Sequence, residues 1–230
     1  MITVIIAAAG RGSRMKRAEN KVFLPLLEKP VLRYSIETFA KRKDVAEIIV
    51  ISAAHEVEEM ETLTASCGCA VPVKVVIGGS ERQYSVANAL CAVDRDASLI
   101  LVHDGARPLV TDEVIGAVID SARKHRASIA AVPVKDTIKK VDADGMVVDT
   151  PPRKTLYAVQ TPQGFDAQLL HEAYARAEAD GFLGTDDASL VERLGIKVAI
   201  AEGDYQNIKI TTPEDLTIGE ALLKGRRICE

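Results

Sequence analysis

The chain has 230 residues, of which 47% are hydrophobic, and its formal net charge is −4 at neutral pH. This length and apolar content suit one well-buried domain, and the weakly acidic balance excludes a general attraction to nucleic acid. Neither a membrane-spanning apolar stretch nor a basic leader is present, so we expect a cytoplasmic protein. The four cysteines are too few for a disulfide scaffold and do not have the spacing of a zinc site.

Short runs rich in β-branched residues alternate with amphipathic stretches along the chain. The runs predict strands over residues 2–9, 46–53, 72–78, 98–103 and 127–134, and helical spacing of apolar residues predicts helices between them. Strands that are apolar throughout are typical of a mostly parallel sheet covered by helices on both faces. The sequence therefore predicts a single α/β domain over residues 1–230, with ligands bound at the carboxyl ends of the strands.

The alternation changes between residues 133 and 160. Residues 133–141 and 146–150 flank a turn and predict a β-hairpin that is too polar to join the core. Because natural proteins usually cover such an edge by pairing it, we expect a homodimer built on a projecting arm, residues 134–156. After residues 160–165 the pattern predicts helices at about 167–179 and 186–194, a strand at 197–201, and a last helix capped by Thr212 with Pro213 at its first position.

A glycine loop with several basic residues follows the first strand. Gly10 and Gly12 allow the backbone to approach phosphates, and Arg14 and Lys21 can close over the anion, so we expect a nucleoside triphosphate here. A dinucleotide fingerprint would need a third glycine in place of Met15, and a P-loop would need a Gly-Lys-Ser/Thr step after the glycines. Both are therefore disfavoured, while an ordinary glycine turn with solvated basic residues stays open.

A second polar loop follows the third strand. Gly78 and Gly79 precede Ser80 and Ser85 at the start of a predicted helix, which offers backbone donors and hydroxyls to another part of the ligand. We expect the two loops to lie at neighbouring strand ends. The alternative for the second loop is an ordinary helix N-cap at Ser80.

The fourth strand ends in a carboxylate. Asp104 could orient substrate hydroxyls or serve Mg²⁺, or it could simply form a turn with Gly105. His103 beside it is expected in the core or behind the site.

Motifs spread over residues 2 to about 218 resemble the 2-C-methyl-D-erythritol 4-phosphate cytidylyltransferase family. The motifs are Ala-Ala-Gly-x-Gly-x-Arg-Met from residue 8, Gly-Gly-x-x-Arg-x-x-Ser-Val from 78, Val-His-Asp-x-Ala-Arg-Pro from 102, Asp-Thr-Ile-Lys from 136, Gln-Thr-Pro-Gln-x-Phe from 160, Thr-Asp-Asp-Ala-Ser from 185 and Asn-Ile-Lys-Ile-Thr from 207. The first is shared by many sugar nucleotidyltransferases, and the later ones narrow the resemblance. It implies a three-layer, Rossmann-like sheet of the nucleotide-diphospho-sugar transferase type.

The resemblance also implies a reaction. CMP passes from CTP to 2-C-methyl-D-erythritol 4-phosphate with release of pyrophosphate, assisted by a divalent cation such as Mg²⁺, in the non-mevalonate route to isoprenoids. Two anions must be brought together, so cations are needed to stabilise the charge that accumulates on the α-phosphate. A phosphate monoester is already ionised near neutral pH, so no general base is required.

The resemblance assigns roles to individual residues. Catalytic roles go to Arg14 and Lys21, which stabilise the α-phosphate and leaving group, and to Arg153 and Lys209, which position the acceptor phosphate. The nucleotide is held by Ala8, Ala9, Gly10, Gly12, Gly79, Ser80, Ser85, Asp104 and Gly105. The acceptor is bound by Asp104, Arg107, Thr137, Arg153, Thr161, Thr185 and Lys209, and Asp104 is also the metal ligand. The resemblance also implies that the arm of one subunit completes the site of the other, and Thr137 lies on that arm.

Several alternatives stay open. A ribitol 5-phosphate cytidylyltransferase keeps nearly the same motifs, so the sequence separates the two acceptors poorly. A non-catalytic CTP-sensing module is disfavoured, because a sensor needs no cations on the acceptor side. Each threonine of the site could instead be a helix cap or a strand-surface residue, and Thr185 in particular is a possible N-cap.

Overall fold

The fold is seen in a computed structural model that describes residues 1–10 and 20–229. In chain order its elements are β1 Ile2–Ala7, β2 Pro25–Leu26, β3 Lys29–Pro30, α1 Val31–Ala40, β4 Val45–Ser52, α2 Val57–Ser66, β5 Val73–Ile77, α3 Arg82–Leu90, β6 Leu99–Asp104, α4 Asp112–His125, β7 Ala127–Pro133, β8 Lys140–Val141, β9 Val147–Asp149, β10 Tyr157–Asp166, α5 Ala167–Ala179, α6 Asp187–Arg193, β11 Ala199–Glu202 and α7 Pro213–Cys229. Within these residues no helix combines the length and apolar character needed to span a membrane.

Seven strands form one mixed sheet in the order β5-β4-β1-β6-β10-β7-β11. All neighbouring pairs are parallel except the two that involve β10, which runs antiparallel to both β6 and β7. The predicted mostly parallel α/β sheet is therefore confirmed. Because β1 and β6 are parallel and in register, Ala7 and Asp104 lie side by side where the two strands end.

Two hydrophobic cores cover the sheet and make the three layers. On one face, α1, α2 and α4 pack their apolar side chains, such as Phe39, Met60 and Val118, against the sheet. On the other face, α3, α5 and α6 do the same with residues such as Val86 and Leu170. Side chains alternate between the faces along β1, where Val4 and Ile6 join the first core and Ile5 the second.

The strand β10 was not anticipated from the sequence. Its central residues, Gln160 to Phe165, contain Pro162 and Gly164, both of which are unfavourable in strand interiors. The register against β7 shifts between Val159 and Gln163, so the segment breaks the ladder at the point where its sequence resembles a turn. Burial between two strands holds it in the sheet nevertheless.

The predicted hairpin is present but has a short ladder. Only β8 and β9 pair in it, with Lys140 opposite Asp149 and Val141 opposite Val147. The tip turns through Gly145, whose φ of +80° is a conformation that glycine adopts at little cost. Large apolar side chains on the arm face solvent in the single chain, among them Met146 at 66% and Val147 at 58% exposure.

Candidate functional site

A cleft of about 680 Å³ opens at the carboxyl ends of β1, β5 and β6. Among its lining residues are many that the sequence singled out, namely Ala8, Ala9, Gly10, Lys21, Gly79, Ser80, Ser85, Asp104 and Lys209. This is the edge at which open α/β sheets bind ligands. The glycine loops, two lysines and the strand-end carboxylate thus share one concave surface.

The expectation that the two glycine loops follow neighbouring strands was wrong. The strand β4 lies between β1 and β5 in the sheet. Residues 8–10 and the Gly78–Ser80 segment nevertheless line the same cleft, together with Ile51 near the end of β4. The separation makes the cleft wide enough for a ligand larger than one phosphate group.

Asn20 is bonded back to the end of β1, a role that the sequence did not suggest. Its side-chain amide donates to the Ala8 carbonyl and to Glu56 Oε2, both at 2.8 Å. These bonds bring the residue that follows, Lys21, back to the end of β1. The predicted site residues Gly12 and Arg14 lie outside the described residues.

The second loop is shaped by close backbone packing. Ser85 Oγ accepts a hydrogen bond from the Gly79 amide at 3.0 Å and donates to the Glu81 carbonyl at 2.8 Å. A Cβ atom on Gly79 would lie 2.6 Å from Cβ of Tyr84, so only glycine fits. The alternative of an N-cap at Ser80 was wrong, because the cap position is Glu81 and it makes no side-chain capping bond.

Asp104 is surrounded by basic side chains in the cleft. Its Oδ2 lies 2.7 Å from Lys209 Nζ, and its Oδ1 lies 3.7 Å from Arg82 Nε. Burial alone would raise its pKa, but Lys209 and Arg82, with help from Arg107, lower that pKa to about 2. Asp104 is therefore ionised at any physiological pH and can act only as an acceptor or a metal ligand.

A buried hydrogen-bond network holds Asp104 and Arg107 from behind. The Thr161 hydroxyl accepts from the Asp104 amide at 3.0 Å and lies 3.0 Å from His103 Nδ1, while His103 Nε2 lies 3.2 Å from the Arg107 carbonyl. A carbonyl only accepts, so Nε2 carries the proton and Nδ1 accepts from the Thr161 hydroxyl. Burial lowers the His103 pKa to about 4, which keeps the imidazole neutral.

Thr161 and Arg107 lie behind the cleft surface. Thr161 is 5% exposed, and its hydroxyl serves the network just described. The guanidinium of Arg107 donates to the Asn207 carbonyl at 2.7 Å, and the Asn207 side chain donates to the Thr161 carbonyl at 2.9 Å. Asn207 thus joins the strand β10 to the segment that carries Lys209. Gly105 packs against Leu32 and the Ala7 carbonyl, where a side chain would collide.

Arg82 also lines the cleft, although the sequence indicated no role for it. It lines the cleft from the first residue of α3, and its Nη2 lies 2.6 Å from Oδ2 of Asp187. Asp187 is fully buried, and its other oxygen accepts from the Tyr174 hydroxyl at 2.5 Å. The sequence signal for Arg82 was its place in the Gly-Gly-x-x-Arg motif, one turn after the second glycine pair.

Like Gly105, Arg107 and Thr161, three further predicted residues are not among the lining residues in the part of the chain that the structure describes: Thr137, Arg153 and Thr185. Thr137 and Arg153 lie on the exposed arm, where the Arg153 guanidinium donates to the Lys135 carbonyl at 2.7 Å. Thr185 is exposed beside the start of α6. It is not the N-cap, because Asp186 caps that helix through the Ser189 amide.

The side chains of the cleft suit a metal ion only if substrate phosphates and water supply most of its ligands. No group of three or more metal-ligating side chains exists among the residues described here, so an all-protein cage is not available. Mg²⁺, however, is commonly held by one or two carboxylates together with substrate phosphates and water. Asp104 can supply one such carboxylate, because Lys209 occupies Oδ2 while Oδ1 lies beyond hydrogen-bonding distance of Arg82.

Comparisons with known proteins agree on one family. Residues 2–225 match the family model described as 2-C-methyl-D-erythritol 4-phosphate cytidylyltransferase. Proteins of that name from Caldanaerobacter subterraneus and Bacillus cereus are 49% and 50% identical, covering 97% of this chain and 99% and 98% of their own lengths. The crystal structure of 4-diphosphocytidyl-2C-methyl-D-erythritol synthase from Anaerococcus prevotii has a TM-score of 0.87 at 34% identity, with 97% and 98% of the two chains covered. The crystal structure of 2-C-methyl-D-erythritol 4-phosphate cytidylyltransferase from Thermus thermophilus has a TM-score of 0.77 at 34% identity, with 96% of this chain and 98% of that chain covered.

Proposed function

The chain belongs to the 2-C-methyl-D-erythritol 4-phosphate cytidylyltransferase family, and we propose that it transfers CMP from CTP to 2-C-methyl-D-erythritol 4-phosphate. The products are 4-diphosphocytidyl-2-C-methyl-D-erythritol and pyrophosphate, in the non-mevalonate route to isoprenoid precursors. The observation that supports the proposal is the cleft in which residues 8–10 and the Gly78–Gly79 loop face Lys21, Lys209 and the ionised Asp104. Such a surface suits a triphosphate and a second phosphate brought close together.

The chemistry follows from the charges involved. A phosphate oxygen of the acceptor forms a bond to the α-phosphorus of CTP, while the bond from that phosphorus to the bridging oxygen breaks. Pyrophosphate leaves with the electron pair. Positioning and electrostatic stabilisation supply the catalysis, because the nucleophile needs no deprotonation.

We assign the cleft residues roles in that reaction. The backbone of Ala8 to Gly10 and the Gly79–Ser85 turn hold the nucleotide, and Lys21 with Arg14 stabilises the charge on the α-phosphate and the leaving group. Lys209 neutralises the acceptor phosphate from the edge of the cleft, where Asp104 fixes its ammonium group at 2.7 Å. When bound with CTP, Mg²⁺ neutralises phosphate charge, and Asp104 is the residue that would hold it.

A homodimer is proposed through the arm. The arm exposes Met146, Val147 and Val148, an apolar surface of the kind that marks protein contacts. It also carries Thr137 and Arg153, which belong to the acceptor set by resemblance but lie outside the cleft of their own chain. Pairing the arms would cover the apolar side chains and bring these two polar ones to a neighbouring cleft. The cytoplasmic location stays a prediction.

The activity is tested by measuring pyrophosphate release from CTP and Mg²⁺ with one acceptor at a time. Release with 2-C-methyl-D-erythritol 4-phosphate is expected, and release with ribitol 5-phosphate alone would establish the alternative acceptor. No release with either, alongside CTP binding, would favour a sensing module. Replacing Lys21 with Ala should lower turnover by roughly 10²–10³, the usual cost of losing one donor to developing charge. A loss below threefold would remove Lys21 from the catalytic set.

Subunit mixing tests the shared site. Arg14→Ala and Thr137→Ala proteins, each weak alone, should regain part of the activity when mixed, because a mixed dimer has one cleft with both residues intact. Exchange is monitored by differently tagged subunits. Demonstrated exchange without recovery would argue that the arm does not complete the partner's site.

A further inference from the structure

A buried carboxylate behind the cleft has no part in the chemistry proposed above. Asp187, the first residue of α6, is fully buried. Its Oδ1 accepts from the Tyr174 hydroxyl at 2.5 Å, and its Oδ2 lies 2.6 Å from Arg82 Nη2. A buried charge is costly unless it is paired, so the partners of Asp187 are strongly held in place.

Arg82 lies between two carboxylates and makes a hydrogen bond to only one of them. Its Nη2 is at hydrogen-bonding distance from Asp187, whereas its Nε is 3.7 Å from Oδ1 of Asp104. A guanidinium fork readily forms a two-pronged pair with a carboxylate when nothing restrains it. Asp187 supplies that restraint, since releasing Arg82 would leave the buried carboxylate with the Tyr174 hydroxyl but without its cationic partner.

The consequence concerns the second oxygen of Asp104. Lys209 already occupies Oδ2 at 2.7 Å. If Arg82 moved onto Asp104, its guanidinium would cover Oδ1 as well and would place a positive charge where a cation has to bind. With Arg82 fixed on Asp187, Oδ1 stays 3.7 Å from Arg82 Nε, and Asp104 lines the cleft.

We propose that Asp187 is a positioning residue, which holds Arg82 away from Oδ1 of Asp104 and so keeps that oxygen available to the divalent cation that accompanies CTP. The inference rests on the proposed function for the identity of the nucleotide and its metal. It adds that a side chain outside the cleft determines whether Asp104 can act as a ligand. Metal-ligand partners of this kind usually change metal affinity by 10–100-fold when altered.

Direct Mn²⁺ binding tests the proposal without turnover. Free Mn²⁺ is measured by electron paramagnetic resonance as it is titrated into protein that holds a CTP analogue with a methylene group between the α- and β-phosphates. Asp104→Asn and Asp187→Asn should each weaken Mn²⁺ binding about tenfold or more. Asp186→Asn is the matched control, because it removes the same charge one residue away and Asn still caps the helix. It should bind Mn²⁺ within threefold of the parent protein.

A second part of the experiment tests whether removal of Arg82 suppresses the effect of Asp187→Asn. Adding Arg82→Ala to Asp187→Asn should restore Mn²⁺ binding, because no guanidinium is then left to cover Asp104. Arg82→Ala alone should bind Mn²⁺ no more weakly than the parent. This single variant keeps the proposal testable if Asp187→Asn does not fold.

Three results would overturn the proposal: an unchanged Mn²⁺ affinity in Asp104→Asn or in folded Asp187→Asn, weaker binding in Arg82→Ala, or no recovery in the double variant. Failure of the proposed function is distinguishable, because it shows as absent pyrophosphate release from the parent protein.

Discussion

Protonation of the buried His103 should make the protein less stable in mild acid. The imidazole is fully buried, T-shaped against Phe39 with ring centroids 5.1 Å apart, and neutral because its Nδ1 must accept from Thr161. Burial lowers its pKa from 6.5 to about 4. Between these two values the unfolded chain binds a proton that the folded protein does not. The contribution of the neutral His103 to the free energy of unfolding is therefore fully present above pH 6.5 and is lost as the pH falls toward 4.

The magnitude follows from the size of the shift. A change from 6.5 to about 4 corresponds to about 3 kcal/mol of folding free energy, since each pKa unit is worth about 1.4 kcal/mol. That is a large part of the roughly 5–15 kcal/mol by which domains are stable. Other groups titrate over the same range, so the contribution must be isolated by comparison with a variant that cannot titrate at this position.

His103→Gln provides that comparison. Its amide oxygen can accept from the Thr161 hydroxyl, and its amide nitrogen can donate to the Arg107 carbonyl, so both hydrogen bonds are replaced without a titrating group. Urea unfolding at pH 7 and at pH 4.5 should show the parent losing about 2–3 kcal/mol more than the variant. His125→Gln, at an exposed helix end, should keep the full pH dependence of the parent. Equal losses in parent and His103→Gln would refute the argument that burial keeps this imidazole neutral.

Two further predictions concern the loops and strand ends. Gly79→Ala should weaken CTP binding about tenfold, because the new methyl would lie 2.6 Å from Tyr84 Cβ and displace the loop. Gly225→Ala, which has open space at its Cβ, is the control. Its affinity for CTP, measured by calorimetry, should be unchanged. Thr161→Val should cost about 1–3 kcal/mol of stability and lower kcat, because the Asp104 amide and His103 Nδ1 lose their shared partner. Thr161→Ser, which keeps the hydroxyl, should retain kcat within threefold. Equal kcat values in Val and Ser variants would show that the hydroxyl does not support Asp104.

Local patterns were sufficient for most of the architecture. Periodicity reports which residues of one element are buried, so it located α5 at residues 167–179 and the start of α7 at Pro213, where the structure has them. It also placed Gly10, Gly79 and Asp104 at strand ends, and the parallel arrangement brought those ends into one cleft. The reaction itself came from motifs rather than from periodicity, because many α/β sheets carry a glycine loop.

Tertiary structure alone decided the features that depend on distant partners. The strand β10 contains Pro162 and Gly164, and its extended form is stabilised by β6 and β7 on either side rather than by its own residues. Arg82 and Asp187 are 105 residues apart, and no local pattern distinguishes a buried ion pair from two solvated charges. The same holds for Thr161, whose hydroxyl is directed to His103 and Asp104 by the packing of β10 against β6. The sequence by itself determined most of the elements, the glycine loops and the family, because these depend on neighbours along the chain. Only the tertiary structure decided which distant charges meet, because the order of the strands and the packing of the helices determine which parts of the chain lie side by side.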